Sequence, residues 1–192
     1  MRVIAGERKG HALKAVPGNN TRPTTDKVKE SLFSIIGPFF DGDMVLDLFA
    51  GSGGLGIEAL SRGAERAVFI DQAALAIKTI RQNLEGCHFT ERAEVYRNDA
   101  ERALKLLHKN EWKFDLIFLD PPYKKQQLEK LIGTLEKLIG TLEKLELVNE
   151  NGRIICEHDK EAIMPDTIGK FEKIKSVSYG ITVLSIFEFQ EA

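Results

Sequence analysis

Apolar runs alternate along the chain with segments whose apolar positions recur every three or four residues, which predicts strands interleaved with helices. The strand leading to Asp47 begins at Val45, and Arg66 to Asp71, Glu94 to Arg97, Phe114 to Leu119 and Gly152 to Glu157 read as four more. Phe171 to Ser178 and Ile181 to Phe189, parted by Tyr179-Gly180, complete seven strands as an antiparallel closing hairpin. Val28, Leu32, Ile35 and Phe39 mark a first helix after Pro23 and Thr24, ended by Gly37-Pro38. Leu55 to Arg62 reads as the second helix, and Ala73, Ile77, Ile80 and Leu84 line one face of a third. A short hairpin of Arg2 to Ala5 with Ala12 to Val16, turning at Gly6 and Gly10, opens the chain. This order predicts an α/β fold with a doubly wound, mostly parallel sheet and helices on both faces.

One segment breaks the pattern. Leu128 to Thr134, read LEKLIGT, recurs unchanged as Leu135 to Thr141, and a third copy begins at Leu142. Its leucines follow heptad spacing over too short a length for a coiled coil, and Gly133 and Gly140 each cost about 1 kcal/mol inside a helix. The segment reads as an amphipathic helix lengthened by tandem duplication. Seven residues add about 10.5 Å and turn the apolar face by only about 20°. The expectation is two extra turns that protrude as a partner or dimer contact, or serve no role.

The first chemistry lies at the end of the fourth strand, where Asp120-Pro121-Pro122-Tyr123 follows Leu119. An exocyclic amine on an aromatic ring is a poor nucleophile, because its lone pair is delocalised. A catalyst must accept its N–H hydrogens and turn the lone pair towards the electrophile. The Asp120 carboxylate and the Pro121 carbonyl are suitable acceptors, and two prolines fix the direction of that carbonyl. Tyr123 offers a face on which a base stacks, worth about 1–3 kcal/mol. The same tetrapeptide also suits a strand that simply stops at a rigid turn, with Tyr123 a half-buried loop aromatic.

A second motif favours the chemical reading. Gly51, Gly53 and Gly56 satisfy G-x-G-x-x-G between the first strand and the second helix, and Asp71 ends the next strand. That spacing suits a dinucleotide, with an acid on the ribose. Asp47 argues against a dinucleotide, since its carboxylate would stand close to a pyrophosphate. S-adenosylmethionine (SAM) has no phosphate and carries ammonium and sulfonium charges, so Asp47 becomes a counter-charge while Asp71 accepts from two ribose hydroxyls.

DLFAGSGGLGIEALSRGA (Asp47 to Ala64), LDPPY (Leu119 to Tyr123), Arg2 to Gly6 and Thr21 to Glu30 together resemble the bacterial family that methylates a guanine N2 amine in 16S ribosomal RNA. The amino-terminal blocks set that family apart from other class I SAM-dependent methyltransferases. The resemblance implies a Rossmann-like class I methyltransferase fold with a seven-stranded sheet, an antiparallel carboxy-terminal hairpin and a small amino-terminal extension. It implies a single domain over residues 1–192, with residues 1–40 contacting RNA and covering the site. Asp120, Pro121 and Tyr123 would be catalytic. Asp47, Phe49, Gly51, Gly53, Asp71, Asn98, Asp99 and Asp120 would hold SAM, with Asp99 accepting from the adenine amino group. Asn98-Asp99 equally suits a plain strand-to-helix cap. Arg2, Lys9, Arg22, Thr24, Lys27 and Lys29 would contact RNA. The methyl group would pass in line from sulfonium to guanine N2, with neither a covalent enzyme intermediate nor a metal, onto a base extruded from its stack.

Charge distribution changes the picture in one respect. The chain carries a net −2, yet residues 1–30 hold seven basic groups against three acids, leaving −6 for the remainder. A basic extension on an acidic body suits contact with RNA on one face, although small domains also carry such imbalance by chance. Cys87 and Cys156 are far apart, and His11, His88, His108 and His158 show no ligand spacing, so no metal is assigned and the thiols read as reduced. His158 follows the fifth strand and reads as a structural histidine ahead of a pocket residue. No apolar run spans a bilayer and no leader pattern opens the chain, so a cytoplasmic location is expected.

Three rival classes share parts of this signature. A DNA adenine-N6 methyltransferase shares the DPPY chemistry but needs a sizeable target-recognition segment. A protein-glutamine methyltransferase commonly carries Asn in place of Asp120 and needs no basic block. A non-catalytic SAM-binding assembly factor would touch 16S RNA in the small ribosomal subunit, but retention of Asp120 and Tyr123 disfavours it.

Overall fold

The structure, a computed structural model, describes residues 1–18 and 24–191. The chain divides into two compact units, residues 1–100 and 101–192.

In the first unit, helix α1 (Asp26–Ile36) starts where the Thr25 hydroxyl accepts from the Val28 N–H, 3.3 Å away. Strand β1 (Met44–Asp47), helix α2 (Gly54–Ser61), strand β2 (Arg66–Asp71), helix α3 (Ala74–Gly86) and strand β3 (Ala93–Arg97) follow. The strands lie in the order β3-β2-β1, all parallel, so their carboxyl ends point the same way. Ala67 to Ile70 are all buried, as expected of a strand covered on both faces.

Three expectations change here. The opening hairpin reduces to a single bridge, Arg2 with Ala12, closed by the Gly10 N–H donating to the Val3 carbonyl. Phe39 leaves the apolar face of α1 because the helix stops at Ile36, and its side chain is 64% exposed. Ala73 precedes α3 and is exposed, while Ala76, Ile80 and Leu84 form the buried face.

The extension does not dangle from this unit. Glu58 on α2 is fully buried and accepts from the Ile4 and Ala5 N–H groups, while pairing with Arg62 at 2.7 Å and Lys29 at 3.6 Å. Arg62 also lies over the Phe33 ring. Glu58 therefore ties the arm, α1 and α2 together. Glu58→Ala would strand two buried cations and two N–H groups, and urea unfolding should report a loss of about 3–5 kcal/mol.

In the second unit, helix α4 (Ala100–Lys109), whose first residue closes the first unit, leads into strand β4 (Phe114–Leu119) and helix α5 (Leu128–Lys144). Strands β5 (Val148–Asp159), β6 (Thr167–Ile168), β7 (Phe171–Tyr179) and β8 (Thr182–Phe189) complete it. Their order is β4-β5-β8-β7-β6, with β4 parallel to β5 and the rest antiparallel. The closing hairpin turns at Gly180, whose φ of +60° suits glycine. Eight strands form among the described residues instead of seven, because the two-residue β6 is too short to leave a periodic trace.

The duplicated heptads do not protrude. Leu131, Leu135, Leu138, Ile139 and Leu142 are all buried along α5, so the second copy continues the face begun by the first. Leu135→Ala should accordingly lower stability by about 2–5 kcal/mol in urea unfolding, a cost that a projecting copy would not show.

Candidate functional site

The first unit gathers most of the expected cofactor residues at the carboxyl ends of its strands. Asp47 ends β1, Asp71 ends β2, and Asn98 and Asp99 follow β3, half-buried. The turn after β1 doubles back on β2. The Ala50 N–H donates to the Ile70 carbonyl and the Gly51 N–H to Asp71 Oδ2, both at 2.9 Å. Asp71 Oδ1 accepts from the Ala73 N–H at 2.9 Å, and the Asp71 carbonyl accepts from the Asn98 N–H at 3.1 Å. One carboxylate thus fixes the glycine turn and the entry to α3, and each oxygen keeps a lone pair for a hydroxyl.

The glycines divide the work. Gly51 has φ +56° and no atom within 4 Å of where a Cβ would stand, leaving room for a ligand. Gly53, with φ +84°, caps α2, and a Cβ there would stand 3.4 Å from Ile57 and Phe69 and 3.5 Å from Ile80. Gly56 lets the helix rest on the Phe69 ring, since a Cβ there would lie 2.4 Å from it. Phe49 is half-buried in the same turn.

Asp47 is 3% exposed and accepts a hydrogen bond from the Gly56 N–H at 3.1 Å, with no ion-pair partner among the described residues. Burial raises its carboxyl from 3.8 to about 7; the Gly56 N–H opposes this and the Asp71 charge adds to it. A buried carboxylate with one donor is short of positive charge, so the donor set fits a cationic ligand such as the ammonium of SAM.

The second unit presents the other motif. Asp120 stands directly after β4, whose residues Leu116 to Leu119 are buried, and its own side chain is exposed. Pro121 is buried and anchors the loop, while Pro122 and Tyr123 reach solvent, Tyr123 with 40% exposure. The paired strand β5 carries Cys156 opposite Leu119. Burial pushes the Cys156 thiol up, with the Asp120 charge adding to it, so this cysteine is an inert core residue. His158 is also structural. It is buried, its Nε2 lies 2.7 Å from the Ser185 hydroxyl, and burial lowers its pKa.

A profile of the family described as "Conserved hypothetical protein 95" matches residues 1–188. This chain belongs to that family. A Bacillus subtilis protein, YlbH, provisionally named an rRNA methyltransferase, is 52% identical over 188 residues, 98% of each chain. A Haemophilus influenzae protein named "Ribosomal RNA small subunit methyltransferase D" is 38% identical over 182 residues, 93% of this chain and 91% of its own. The solved structure of Escherichia coli yhhF, provisionally described as a methyltransferase, superposes with a TM-score of 0.82 at 27% identity, covering 99% of this chain and 98% of that one. The Rossmann-like methyltransferase fold anticipated from sequence is the fold of this family member.

The expected RNA-contacting residues of this family member fare unevenly. Arg2, Lys9 and Lys27 are exposed, and Arg2 pairs with Asp26 at 3.1 Å; Thr24 is half-buried. Arg22 lies outside the described residues. Lys29 is a correction: it is 1% exposed, and its ammonium donates to the Arg2 carbonyl beside Glu58. Burial lowers its pKa, with Glu58 opposing, and a buried ammonium offers nothing to a phosphate. Glu58 and Asn83 are the influential residues that pattern reading passed over. Each is a polar side chain inside a helical apolar face, and that was the available signal.

Among the described residues, no helix is long and apolar enough to cross a membrane, and no group of three or more His, Cys, Asp or Glu is placed to hold a metal.

Proposed function

We propose that this chain is a SAM-dependent methyltransferase acting on the exocyclic N2 amine of a guanine in 16S ribosomal RNA, within the small subunit or an assembly intermediate, in the cytoplasm. One observation carries the reading. DPPY, with an exposed acid and aromatic beyond a buried strand, occurs in a chain 38% identical over nearly its full length to a protein named for methylating small-subunit rRNA.

SAM supplies an electrophilic methyl group on a sulfonium. Asp47 receives its ammonium, Asp71 accepts from its ribose hydroxyls, Asn98 and Asp99 receive the adenine, and Gly51 and Gly53 with Phe49 shape the turn around it. Asp120 and the Pro121 carbonyl accept hydrogen bonds from the two amine N–H groups and direct the nitrogen lone pair, and Tyr123 stacks on the extruded base. Arg2, Lys9, Arg22, Thr24 and Lys27 position the RNA through its phosphates.

The test is complementation. In bacteria lacking their own 16S guanine-N2 methyltransferase, expression of the chain should restore N2-methylguanosine to 16S RNA, read by mass spectrometry of nucleosides. Expression at normal level with no gain in that nucleoside would overturn the proposal.

A further inference from the structure

Asn83 lies on the buried face of α3 and is 4% exposed. Its amide is engaged at both polar atoms. Oδ1 accepts from the Lys14 N–H at 2.8 Å, while Nδ2 donates to the carbonyls of Lys14 and Ser52, each at 2.9 Å. With Lys14 it forms the reciprocal pair that a neighbouring strand would form. Ser52 is the residue between Gly51 and Gly53, so the third bond reaches the middle of the glycine turn.

The Ser52 carbonyl is the group whose direction most needs fixing. It stands between two residues at positive φ, +56° and +84°, where glycine leaves the backbone free to turn. Asp71 holds the Gly51 N–H on one side and the Ala50 carbonyl accepts from the Gly53 N–H on the other. Asn83 holds the carbonyl in the middle. A loop fixed before its ligand arrives loses less entropy on binding.

Lys14 connects this clamp to the amino-terminal arm. The arm is also fastened at Ser61 on α2, whose hydroxyl accepts from the Arg8 N–H at 3.0 Å and donates to the Ala5 carbonyl at 2.7 Å. Its first residue also meets the turn, with Met1 Sδ 3.7 Å from the Ser52 hydroxyl.

We propose that Asn83 is a positioning residue for the cofactor, clamping the glycine turn through Ser52 and fastening it to the arm through Lys14. The inference rests on the proposed binding of SAM at this turn. No other common side chain reproduces the three bonds. Asp loses both donors and sets a negative oxygen against two carbonyls, and Leu leaves all three backbone groups unpaired.

The test compares Asn83→Ala with Ser61→Ala by SAM titration calorimetry, thermal midpoint and steady-state kinetics. Ser61→Ala loosens the same arm without touching the turn. Asn83→Ala should raise the SAM Kd and KM about tenfold or more while kcat at saturating SAM stays within threefold, an effect of lost preorganisation. Ser61→Ala should lower the thermal midpoint yet leave the SAM Kd within about twofold, since Ser61 orders nothing at the turn. If Asn83→Ala does not fold, Asn83→Ser takes its place with the same expectation. A folded Asn83 variant with wild-type SAM affinity, or an equal loss in Ser61→Ala, would overturn the role of Asn83. A wild-type chain that binds no SAM would instead remove the cofactor reading beneath it.

Discussion

Asp120→Ala should lower turnover about 10²- to 10³-fold while SAM affinity stays within a few-fold. The asymmetry follows from the role proposed for Asp120. A guanine amine must pyramidalise as the methyl group arrives, and an acceptor on its hydrogen stabilises the charge that grows on nitrogen only then. Such an interaction is stronger in the transition state than in the ground state, so its loss falls on kcat. Asp120→Asn is the finer probe, because its carbonyl can still accept one hydrogen bond while lacking the charge. It should fall between alanine and wild type. Single-turnover assays with saturating SAM read the effect directly, and turnover unchanged in Asp120→Ala would remove the residue from catalysis.

The second large effect concerns pH. Asp47 is buried, and its carboxyl is raised from 3.8 to about 7 without a cationic partner among the described residues. If the carboxylate form binds the SAM ammonium, SAM affinity should rise about tenfold per pH unit below pH 7 and level off above it, since only the ionised fraction is competent. The folding consequence has the opposite sign. A raised carboxyl pKa means the folded state favours the proton, so Asp47 contributes stability that is fully present below pH 3.8 and is lost as pH rises through about 7. Asp47→Asn carries no charge to bury. It should therefore be more stable than wild type at pH 8 without ligand, bind SAM about 10- to 100-fold more weakly, and lose the pH slope. Calorimetric titrations from pH 5.5 to 8.5, paired with urea unfolding at the same values, test both signs together.

How far the sequence reached depended on whether a residue's role is local. The strands were legible because β2 and β4 are almost wholly apolar, and the glycine turn because positive φ at Gly51 and Gly53 demands glycine. Asp47, Asp71 and Asp120 were legible as acids at strand ends, where open α/β sheets bind ligands. Lys29 was misplaced because a basic residue in a basic segment looks solvent-facing until the helix phase is known. On α1 it falls on the same face as Leu32, Phe33 and Ile36, and its charge is met by Glu58, 29 residues further on. The packing of the duplicated heptads was not legible for a related reason. Repetition shows where an apolar face continues, while only the packing shows that Leu135, Leu138 and Ile139 are covered. Asn83 lay beyond reach because its partners, Lys14 and Ser52, are distant in sequence and contribute only backbone groups.

The most direct measurement is transfer of labelled methyl from SAM to three substrates in parallel: small ribosomal subunits lacking the modification, protein-free 16S RNA, and duplex DNA, each digested to nucleosides. The account predicts label in N2-methylguanosine from RNA and none in DNA, with the two RNA substrates showing whether the particle or the free strand is recognised. Label confined to DNA adenine, or no transfer from a chain that binds SAM tightly, would contradict it.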